Sequence, residues 1–90
     1  MSELHPHQNS YLYEIAYAYS QLGEYTLAID YGEKLRLRAP EDIPNIISLI
    51  ESYCGIGNTD RAKEILLFSL KTLNDDGRLM KVKEMMFRGT

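Results

Sequence analysis

The stretch from Tyr19 to Ala28 reads YSQLGEYTLA, and the stretch from Tyr53 to Ala62 reads YCGIGNTDRA. Tyr19, Gly23 and Ala28 therefore return as Tyr53, Gly57 and Ala62, each after a step of 34 residues. Asp42 and Asp76 keep the same step. A period of this length points to stacked helical hairpins rather than to one irregular core. The conserved spacing has a physical sense within each unit. Glycine permits a turn with positive φ, the small alanine lets two helices approach closely, and the tyrosine fills the space between them.

Working outward from these landmarks, apolar residues fall at helical spacing at Leu12, Ile15, Ala16, Tyr19 and Leu22. Asn9 or Ser10 is suited to cap this helix and Gly23 to end it. A second helix is predicted from near Thr26, with Leu27, Ala28, Tyr31, Leu35 and Leu37 as its inward candidates, until Pro40 and the pair Glu41-Asp42 stop it. The short link Gly23-Glu24-Tyr25 forces an antiparallel return. Pro44 fits the first turn of a third helix carrying Ile46, Leu49, Ile50 and Tyr53, which Gly55 and Gly57 close. Asn58 or Thr59 caps a fourth helix, with Asp60 in its first turn and Ala62, Ile65, Leu66, Leu70 and Leu73 on its packing face. The turn Asn74-Asp75-Asp76-Gly77 precedes a fifth helix over about 78–87. Residues 1–8 are polar, contain Pro6 and read as a flexible arm. No stretch alternates with period two, so strands are not expected and the fold class is all-α.

Composition narrows the function. Apolar residues are 44% and charged residues 26%, which excludes intrinsic disorder as the class. A net charge of −3 offers no basic footprint, so no nucleic-acid partner is expected. No apolar run approaches the ~18 residues of a membrane span, and the first residues lack the pattern of a signal peptide. Cys54 stands alone, so no internal disulfide can form; the expected compartment is the reducing cytoplasm. A chain of 90 residues buries only ~60–65% of its unfolded surface, which makes a partner or a second copy thermodynamically useful.

The residues that carry chemistry do not assemble into a catalytic set. His5 and His7 flank Pro6 with no third ligand in view, so no metal site is expected. Cys54 has no nearby histidine and reads as a small packing thiol. The pairs Glu41-Asp42 and Asp75-Asp76 sit at helix boundaries, where capping and the helix dipole account for them. The glycines match no phosphate-binding loop. The expectation is a binding protein rather than an enzyme, without catalytic residues or cofactor.

Leu12, Ile15, Tyr19, Gly23, Tyr25, Ala28 and Pro40 follow the order of landmarks of the tetratricopeptide repeat, which the chain resembles. The second unit offers Ile46, Leu49, Tyr53, Gly57 and Ala62, with Asn74 where proline is usual. Ala16 and Ile50 stand where glycine is common, Gly32 replaces a bulky residue, and Thr59 replaces the aromatic after the turn. The resemblance covers about 9–76. It implies repeat one over 9–42, repeat two over 43–76 and a C-terminal capping helix over 77–90, five helices in a short right-handed α-solenoid.

In this family the first helix of each hairpin lines a concave groove that binds polypeptide. By register those positions are Ser10, Tyr13, Tyr17, Ser20 and Gln21, then Pro44, Ile47, Glu51 and Cys54. Members that clamp acidic chaperone tails use Lys and Asn where this chain has Tyr13, Tyr17 and Ser48, so the implied ligand is an apolar or amphipathic helix. The expected partners are one or two small helical proteins. In size and build the chain is similar to the co-chaperones of type III secretion needle subunits. The last helix carries Met80, Met85 and Phe87 beyond what one buried stripe needs, which marks a second interface or a surface for homodimerisation. Two registers fit that helix: one turns Leu79, Val82 and Met86 inward, the other Met80 and Phe87.

Overall fold

A computed structural model describes residues 8–74 and 76–88, with side chains from residue 11 onward. Five helices follow in order: α1 (Gln8–Gln21), α2 (Tyr25–Arg38), α3 (Ile43–Gly55), α4 (Thr59–Thr72) and α5 (Gly77–Phe87). No strand occurs among the described residues, and the fold is all-α. None of the helices is long and apolar enough to cross a membrane. Of the expected N-terminal arm, residues 1–7 lie outside the described residues, while Gln8 already belongs to α1.

The helix starts show which side chains do the capping. Asn9 and Ser10 lie inside the first turn of α1 rather than at its cap. Asp42 caps α3 by accepting from the Asn45 N–H at 3.3 Å, with Pro44 in the first turn. Asn58, not Thr59, caps α4 by accepting from the Arg61 N–H at 3.3 Å. Asp76 caps α5 through the Arg78 N–H at 2.9 Å.

The 34-residue step of the sequence is also a step in backbone hydrogen bonding. Gly23 and Gly57 adopt φ of 80° and 84°. Glu24 N–H donates to the Tyr19 carbonyl at 2.9 Å and Asn58 N–H to the Tyr53 carbonyl at 2.8 Å. Gly23 N–H reaches Ser20 at 3.2 Å and Gly57 N–H reaches Cys54 at 3.0 Å. These paired bonds form the same Schellman ending on α1 and α3. The step continues past the second hairpin: Ile46 N–H donates to Asp42 at 3.0 Å, and Met80 N–H to Asp76 at 2.8 Å. So α5 starts as α3 does.

Each helix packs on its neighbours in sequence, and α1, α3 and α5 are further joined by α1–α3 and α3–α5 contacts. No contact links α1 to α4 or α5 among the described residues, so the helices lie in a row with extents of 49 × 30 × 15 Å. The largest buried cluster joins Ile46 and Ile50 of α3, Ala62, Ile65 and Leu66 of α4, and Leu79 of α5. Burying side chains of this size contributes ~1.5–3 kcal/mol each. On α2, Ala28 and Leu35 are buried as expected, whereas Leu27 and Leu37, off the helix face that Ala28, Gly32 and Leu35 share, are 41% and 84% exposed. Leu79 is fully buried, while Val82, Met86 and Phe87 are half-buried against the same cluster. The inward register of α5 is therefore the one led by Leu79, Val82 and Met86, with Phe87 joining at the edge.

Candidate helix-binding cleft

Tyr13 and Tyr17 are one turn apart on α1, and their rings stack with centroids 6.0 Å apart and planes 26° from parallel. Beside them α3 brings Pro44, Ile47, Ser48 and Glu51, and α5 adds Arg78; together these seven residues line a cleft of about 260 Å³. The lining follows the repeat, because Tyr13 and Ile47 are equivalent at the 34-residue step, as are Tyr17 and Glu51. Two adjacent first helices therefore present matching positions to one space.

Of the nine residues expected in the groove, Tyr13, Tyr17, Pro44, Ile47 and Glu51 meet there, Ser20, Gln21 and Cys54 do not line it, and the Ser10 side chain lies outside the described residues. Ser20 Oγ instead donates to the Tyr17 carbonyl at 2.7 Å, in the last turn of its own helix. Cys54 is exposed at the end of α3. Arg78 escaped the sequence reading, although its signal was present: it stands 34 residues after Pro44.

The cleft is apolar at its centre and charged at its edges. Tyr17 remains 48% exposed, so a large aromatic surface is open to contact. Burial raises the Tyr13 phenol above its ordinary range, and Tyr17, Asp42 and Glu51 push it further. Burial likewise raises the Cys54 thiol, helped by Glu51 and opposed by Lys63. Arg78 lies 3.6 Å from Asp76 and is 62% exposed, so its charge stays available at the rim.

Between α2, α3 and α4 a set of polar side chains is committed to one another. Glu33 accepts from the Tyr53 hydroxyl at 2.7 Å and from Arg36 Nε at 2.9 Å, and Arg61 pairs with Glu64 at 3.0 Å. A recess of about 320 Å³ lined by Arg36, Arg61, Glu64, Ile65 and Phe68 thus offers paired guanidinium groups rather than an anion site. No group of three His, Cys, Asp or Glu residues able to hold a metal occurs among the described residues; His5 and His7 lie outside them. The C-terminal interface residues divide. Met80 and Phe87 line a recess of about 370 Å³ with Lys83, Glu84 and Arg88, and Met85 does not join them.

No family model, curated protein or solved structure matches the chain.

Proposed function

We propose that this cleft is the binding face of a small tetratricopeptide-like adaptor or chaperone, which holds an amphipathic helix of a partner protein. One observation carries the reading: repeat-equivalent residues, Tyr13 with Ile47 and Tyr17 with Glu51, converge on one aromatic and apolar space. Tyrosine supplies large contact area at low entropic cost, which is why it is enriched where binding energy concentrates. A helix with anchors at i, i+3 or i+4, and i+7 would lay its apolar face on Tyr13, Tyr17 and Ile47. Its polar edges would meet Glu51 and Arg78. Met85, at the 34-residue step from Glu51, extends the same line on α5.

A helix held in this way is kept from aggregating, which is the work of a chaperone for a polymerising client in the cytoplasm. The chain's likeness in size and build to the co-chaperones of type III secretion needle subunits supports a client of that class.

Co-expression with the small open reading frames beside its gene tests the reading. A helical protein should co-purify, and Tyr17→Ala should weaken the complex about tenfold while Leu27→Ala, exposed on α2, leaves it unchanged. A chain that retains no helical protein, or retains it despite Tyr17→Ala and Ile47→Ala together, is not this kind of chaperone.

A further inference from the structure

The outer recess on α5 has a template inside the same molecule. Its Met80, Glu84 and Phe87 stand 34 residues after Ile46, Ile50 and Tyr53 of α3. On α3 this face is covered: Ile46 and Ile50 are each 1% exposed because Ala62, Ile65 and Leu66 of α4 pack on them. On α5 no helix covers the equivalent Met80 and Glu84 among the described residues: Met80 is 41% exposed and Glu84 exposed, while Phe87 is half-buried against the core. Like α3, α5 follows an Asp cap whose carbonyl accepts from the fourth residue on, so the two helices start at equivalent points of the repeat.

We propose that this face docks an acidic amphipathic helix of a partner protein, seated across α5 as α4 is seated across α3. Charge selects the occupant. Where α3 carries Glu51 and no Lys or Arg, the recess on α5 is lined by Lys83 and Arg88 against Glu84 alone. Lys63 of α4 adds its ammonium 5.1 Å from the Phe87 ring centroid. The one carboxylate is already faced by Arg88 at 3.8 Å. Lys63, Lys83 and Arg88 thus flank an apolar centre of Met80 and Phe87, and acidic edges on the incoming helix complement them. A two-fold pairing of α5 with another α5 would instead bring two such basic rims together. The face shares no lining residue with the cleft, so the two proposals stand or fall separately.

The test uses the full chain and a fluorescent peptide copying residues 59–72, with Arg61→Glu, Lys63→Glu and Lys71→Glu changes; its control carries Asp60→Lys and Glu64→Lys instead. Anisotropy should show saturable binding of the acidic peptide, weakened by salt. Met80→Glu and, as a milder variant, Met80→Ser should each reduce it, the former about tenfold. Lys83→Glu with Arg88→Glu should transfer preference to the basic peptide, and Tyr17→Ala should change nothing. Circular dichroism on each variant checks that the helices remain. Absent saturation, equal binding of the two peptides, or indifference to both Met80 changes overturns the proposal. So does a dimer in sedimentation that Met80→Glu dissociates, since the face then belongs to a second copy.

Discussion

Leu49 of α3 lies so close over Gly32 of α2 that a Cβ at Gly32 would stand 2.8 Å from its Cδ2 and 2.9 Å from its Cγ. Asn45 completes the contact by donating its amide to the Gly32 carbonyl at 3.0 Å. The absence of a bulky residue at this point of the second helix is thereby explained. Where one hairpin meets the next, Leu49 supplies the bulk and Gly32 makes the room.

Gly32→Ala should therefore destabilise the protein despite alanine's helix preference of about 1 kcal/mol. Leu49 is 1% exposed and has nowhere to swing, and overpacking of this kind costs ~1–3 kcal/mol. The expected net loss is on the order of 1 kcal/mol, read as a lower urea midpoint at unchanged slope. Leu49→Ala should cost less in the Gly32→Ala background than in the natural one, a coupling that a double-mutant cycle measures. A stabilised Gly32→Ala variant would mean the two helices separate more easily than the contact implies.

Tyr53→Phe should cost ~1–3 kcal/mol, because Glu33 loses a hydrogen bond made to a charged group in a half-buried site. The effect should depend on pH. Burial, then the bond to Glu33, raises the Tyr53 phenol above its ordinary value. A group with a raised folded pKa stabilises fully below its unfolded value, near 10, and loses that stability as pH rises through the folded value. The stability gap between the natural protein and Tyr53→Phe should therefore be constant at neutral pH and shrink above about pH 10. Thermal melts in an alkaline series check this, and a gap that widens there contradicts it.

Glu51→Gln should lower both the Tyr13 phenol and the Cys54 thiol, since the Glu51 charge adds to the effect of burial at each. At a fixed, mildly alkaline pH the Glu51→Gln variant should react with a thiol reagent faster, by a factor on the order of two for a screened charge near the surface. Lys63→Gln should slow the reaction, because Lys63 acts on Cys54 in the opposite sense. The reverse order of the two rates would show that the field at the end of the cleft has another source.

Much of the fold was legible because it is made by residues near one another in sequence. Gly23 and Gly57 announce their turns, Asp42 caps α3 by a bond to a residue three positions away, and the inward faces of α3 and α4 follow a helical period. The candidate cleft was legible in part for the same reason: Tyr13 with Tyr17, and Ile47 with Glu51, are each one turn apart on a single helix. Ser20 and Cys54 share that period but sit near the helix ends, beyond the reach of the cleft.

The sequence by itself determined the repeat, the five helices and the turns between them, since capping, glycine conformation and apolar spacing act over a few residues. Only the tertiary structure decided how closely the hairpins meet, which register α5 adopts and which residues share a cleft. Those outcomes depend on pairs such as Gly32 with Leu49 and Glu33 with Tyr53, whose separation in the chain carries no information about their distance in space. Helix approach is set by the volumes of side chains from both partners at once. For that reason Met80 lines the outer recess with Phe87 while Met85, on the same helix, does not.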